Sequence, residues 1–171
     1  MKKYLSSLVC GFGAGVLQIV PLLRSFSCCF ILPFAAFISL LLNQRATKSK
    51  AKITTKNALL FGIVTGLYAA LFGSFLEIFV TFITKHNDII STFPELQRMI
   101  NNFPVGPEIR SEVLNIFQRV REDILANGFS VLYAFSVLVN NFIINTIFGA
   151  VGGLIGAQII NSRMNTTKNE F

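Results

Sequence analysis

The chain has 171 residues, 53% of them hydrophobic and 13% charged, with 18 Phe and a formal net charge of +7. A soluble domain carries roughly 25% charged residues, so this composition excludes an ordinary soluble domain and points to an integral membrane protein. The positive balance does not point to nucleic acid, because the Lys and Arg residues flank apolar runs and form no basic, aromatic-interleaved face.

In chain order, the first apolar run covers residues 5–23. A membrane helix needs about 20 mostly apolar residues, so this run is expected to be the first span. Lys2 and Lys3 before it imitate a signal peptide, but no A-x-A site follows and no cleavage is expected. Residues 27–42 make a shorter second span, with Arg24 placed to snorkel outward. Residues 58–83 make a long third. Residues 128–160 are apolar throughout, and as one helix would be about 50 Å long, beyond a ~30 Å hydrocarbon core. Asn140 and Asn141 divide this run, so the fourth span is expected near 141–160. Residues 128–139 then either continue that helix outward or lie at the interface.

The segment at 84–140 is expected to be extracytoplasmic and helical. Pro94 is read as opening one helix, "PVGP" as a turn, and Pro107 as the first turn of another. Ile109, Val113, Phe117, Val120 and Ile124 share one face of that second helix, which is expected to pack on outward extensions of spans three and four. Orientation follows from charge. Lys2 and Lys3, the loop carrying Arg45, Lys48, Lys50, Lys52 and Lys56, and the tail with Arg163 and Lys168 fall on one side of four spans. The positive-inside rule makes that side cytoplasmic, so both termini are expected in the cytoplasm and the membrane is expected to be a bacterial inner membrane.

Each span carries small residues four apart, the spacing that lets helix backbones approach in lipid. These are Gly11 and Gly15, Ala35 and Ser39, Gly62 and Gly66 followed by Gly73, and Gly149 and Gly153. Such faces can pack against each other, against a partner protein or against a second copy. Glu77 continues the stripe of span three, so it should face the protein rather than lipid. Gln18 continues the stripe of span one; Asn141 and Asn145 begin that of span four. The expectation is a polar cluster of Gln18, Arg24, Glu77, Asn141 and Asn145 in the outer third of the membrane. It can serve as interhelical hydrogen bonding, as a ligand or ion site, or as contact with a partner subunit.

Other chemistry is poorly supported. Cys10, Cys28 and Cys29 lack paired CxxC spacing and read as packing residues. His86 is the only histidine, so neither a metal site nor a His-based triad is expected. "GFGAG" at 11–15 lacks the spacing and the βαβ setting of a dinucleotide loop. No cofactor is expected.

Two segments, "KITTKNALLFGIVTGLYAALFGSFLEIF" and "NTIFGAVGGLIGAQIINSR", make the chain resemble a family of small bacterial four-span membrane proteins of unknown function. The resemblance implies four helices and a multi-pass location, and brings no catalytic residue. The expected molecule is thus an all-α, polytopic, four-helix membrane domain over residues 1–171. It is expected to be non-enzymatic, and to self-associate or act as a small subunit of a membrane assembly. A small transporter or channel using the cluster around Glu77 is the alternative. Beyond the lipid bilayer, the expected partners are a second copy or another membrane protein, and no nucleic acid.

Overall fold

Every regular element among the described residues is a helix. The computed structural model describes residues 4–20, 23, 26–48 and 51–169. We number the helices α1 (Leu5–Leu17), α2 (Leu32–Thr47), α3 (Thr55–Thr84), α4 (Asp88–Asn101), α5 (Pro107–Asn127) and α6 (Val131–Asn169). A π-helical turn, Ser27–Ile31, leads into α2. It ends two residues before Pro33, which sits in the first turn of α2. Proline has no N–H to donate and its ring crowds the preceding turn, so a local widening of the helix is the expected response.

Among the described residues, three helices are long and apolar enough to cross a membrane: Cys29–Thr47, Thr55–Thr84 and Val131–Met164. This corrects the expectation of four spans and of a four-helix transmembrane bundle. The first expected span fails. Helix α1 has 13 residues, about 20 Å of rise, against a ~30 Å hydrocarbon core. After Leu17 the chain tightens, with the Ile19 and Val20 amides bonding three residues back to Val16 and Leu17. Pro21 comes next in sequence, and the residue before a proline is disfavoured in helical conformation. The fourth expected span lies within a helix that begins ten residues earlier. Asn140 and Asn141 do not interrupt α6, because in lipid a helix that keeps its backbone hydrogen bonds is favoured over any break.

The chain divides into two compact units, residues 1–76 with 138–171, and residues 77–137. In the first unit, α1 runs antiparallel to α2. Ser7 meets Ser39 across 2.9 Å, while Ala14 packs with Leu32, Ala35 and Ala69. At the N-terminal end of α1, Tyr4 packs against Phe61 with tilted rings, centroids 5.4 Å apart. A second cluster of Leu40, Ala58, Phe61, Ala157 and Ile160 ties α2, α3 and α6 together.

In the second unit, α4 begins at Asn87, whose side-chain oxygen accepts from the Ile90 amide at 3.0 Å. That cap starts α4 six residues before Pro94, which sits inside the helix rather than opening it. Helix α5 begins at Pro107 and stops at Gly128. Gly128 has φ +73° and a Cβ there would lie 2.6 Å from the Phe82 carbonyl oxygen. Only a glycine satisfies both conditions. Of the apolar face on α5, Val120 and Ile124 are buried with Tyr133, Val137, Ile78, Ile89 and Ile90. Ile109 stays exposed. The Arg121 guanidinium lies 5.1 Å from the Phe93 ring centre, which covers one apolar side of α4 with a cation.

Candidate functional site

Helices α3 and α6 approach in the first unit until backbone meets backbone. Added Cβ atoms on Gly62 and Gly153 would strike the carbonyls of Gly149 and Ala58, and one on Gly66 would strike that of Asn145. The same closeness joins α1 to α3, where a Cβ on Gly11 would lie 2.7 Å from the Thr65 carbonyl and one on Gly15 2.9 Å from the Gly73 amide. Ala35 and Ser39 are buried on α2. Gly152 and Gly156 close α6 onto Pro33 and Phe37. The small residues therefore meet one another within one chain. Of those named, each packs inside the unit and none is left facing outward.

This closeness brings polar side chains together. The Gln18 and Asn145 amides pair reciprocally: Gln18 Nε2 donates to Asn145 Oδ1 at 3.4 Å, and Asn145 Nδ2 donates to Gln18 Oε1 at 3.2 Å. Asn145 is almost fully buried. Gly73 makes the room, since a Cβ there would lie 2.9 Å from Gln18 Oε1. One turn before Asn145, Asn141 donates to the hydroxyl of buried Ser74 at 3.0 Å. Mutual amide pairing satisfies donor and acceptor of both residues at once, which is how polar groups are carried inside a membrane helix pack.

Glu77 belongs to the second unit. Its Oε1 accepts from the Tyr133 hydroxyl at 3.2 Å, and that hydroxyl lies 3.5 Å from the Thr81 hydroxyl. Of the five expected cluster residues, the first unit thus holds Gln18, Asn145 and Asn141 in two hydrogen-bonded contacts. Glu77 is engaged with Tyr133, whose hydroxyl also faces Thr81, and Arg24 lies outside the described residues.

Four polar participants were missed in sequence: Ser74, Tyr133, Asn161 and the Thr81 beside Tyr133. Ser74 continues a spacing of four from Gly66 through Ala70, all three buried, so its face was readable. Tyr133 is the one tyrosine in the apolar run at 128–160, a residue type suited to a membrane interface. Asn161 donates to the Ile53 carbonyl and accepts from the Ile53 amide, both at 2.9 Å. Only a fold that brings residues 108 apart together reveals that contact.

Comparison with known proteins finds no matching family model, no matching curated protein and no matching solved structure. The likeness to four-span bacterial proteins is corrected on the same ground, since the described residues hold three helices long and apolar enough to span and no family is supported. What stands is a multi-pass, all-helical membrane protein with, among the described residues, three helices able to cross the bilayer.

Proposed function

We propose that the protein is a non-enzymatic membrane component that works by association, with a second copy or with another membrane protein. The observation that carries this reading is the close glycine packing of α1, α3 and α6 in the first unit. Glycine faces close helix on helix, and the polar side chains there bond to one another rather than converge on a cavity. A conduction path needs room that such packing removes. The second unit adds exposed apolar side chains on its α4–α5 pair, Met99, Phe103, Ile109 and Ile116.

The basic turn between α2 and α3 is placed at the cytoplasmic face by the positive-inside rule. Arg163 lies two crossings away and shares that face. The start of α1 joins them, because Tyr4 packs at the same end as Phe61 and Leu40.

Purification in mild detergent, with mass measured by light scattering, tests the association. A dimer, or a stoichiometric co-purifying membrane protein, is expected. A lone monomer that supports pH-dependent flux in liposomes, lost in Glu77→Gln, would replace this reading with transport.

A further inference from the structure

The charges of this chain are unevenly shared. Ten of its 15 Lys and Arg residues fall in residues 1–76 and 138–171, where Glu170 is the one acid. Within that unit the sequence therefore supplies ten cations and one side-chain carboxylate. At the α2–α3 turn, Arg45, Lys48, Lys52 and Lys56 are all exposed. Of these, Lys52 lines a cavity of about 160 Å³ whose floor is Leu40 and Phe61 and whose rim includes Asn43 and Asn57. Among the described residues, neither the Asn43 nor the Asn57 side chain has a hydrogen-bond partner.

The rim is held in place. Lys48 turns the chain with φ 50°, and Asn161 grips Ile53 by both backbone groups. A cationic, amide-lined rim over an apolar floor, at the ends of two spanning helices, matches one kind of molecule. Its head carries a negative charge and hydrogen-bond acceptors, and its tail lies along the helices. We propose that this cavity seats the phosphate headgroup of an acidic phospholipid. Lys52 supplies the charge, Asn43 and Asn57 donate to phosphate or glycerol oxygens, and the acyl chains descend beside α2 and α3. Juxtamembrane cations near an anionic leaflet each strengthen binding appreciably, and a preformed rim adds selectivity to that attraction.

Native mass spectrometry of the protein released from nanodiscs holding equal phosphatidylglycerol and phosphatidylcholine tests the proposal. Phosphatidylglycerol should be retained over phosphatidylcholine by about fivefold or more. Lys52→Gln should lower that preference about fivefold, while Lys52→Arg keeps it. Asn43→Leu with Asn57→Leu should lower it further. Lys48→Gln, outside the cavity lining, should change it by less than about twofold. Equal retention of the two lipids overturns the proposal. So does an equal loss in Lys48→Gln and Lys52→Gln, which would mean diffuse surface attraction. Displacement of the lipid by millimolar inorganic phosphate would instead identify a site for free phosphate.

Discussion

At the scale of single residues, the reciprocal amide pair is the most informative contact. Gln18 and Asn145 each give and receive one hydrogen bond, so truncating one leaves the other with both groups unmet. Asn145→Ala is expected to cost about 0.6–2 kcal/mol. Gln18→Leu combined with Asn145→Leu should cost less than the sum of the two single changes, because paired removal leaves no orphan. Denaturation in detergent, followed by circular dichroism, checks this through a double-mutant cycle, and strict additivity would show that the two amides do not depend on each other. Periodicity made part of this contact legible. Gln18 lies seven residues beyond Gly11, and Asn145 four before Gly149, so each falls on a small-residue stripe. The pairing itself was not legible, because a stripe says which way a side chain points and not what stands opposite. Glu77 shows the same limit: its stripe runs back to Gly62, yet its bonded hydroxyl belongs to Tyr133.

Helices end for local reasons, and those reasons differ in how plainly a sequence displays them. The stop of α5 is plain, since Gly128 closes an amphipathic run. Gly128→Ala and Gly128→Asn are both expected to loosen the α4–α5 pair. Asn tolerates a positive φ better than Ala, but the Phe82 carbonyl excludes any Cβ at this position. Limited proteolysis within 88–127 should accelerate in both variants; rescue by Asn would mean that backbone conformation alone is at stake. The start of α4 was hidden because Pro94 is a stronger signal in sequence than Asn87. Asn87 nonetheless makes the cap, and a proline is tolerated inside this helix. Helix α6 was obscured for the opposite reason. Two adjacent asparagines read as a boundary, yet neither breaks the ladder of backbone bonds. Asn141 turns its amide to Ser74 instead.

For the whole molecule, composition was enough to establish the membrane class, because so few charges leave little with which to face water. The number of crossings was not, since counting apolar residues ignores the turn at Gln18 that ends α1. Topology now rests on two crossings between the α2–α3 turn and the end of α6. Fluorescent-protein fusion after residue 164 should therefore glow, and alkaline phosphatase inserted near residue 104 should be active, in a bacterial host. Reversed signals would invert the assignment of the basic turn to the cytoplasm.

The grip of Asn161 on Ile53 also imposes an order in time. The α2–α3 turn leaves the ribosome 108 residues ahead of the side chain that fastens it. At about 5–20 residues per second, roughly 5–20 s pass between the two. Through that interval the loop of lysines remains unfastened in a newly inserted chain, and the last helix to be made is the one that sets it.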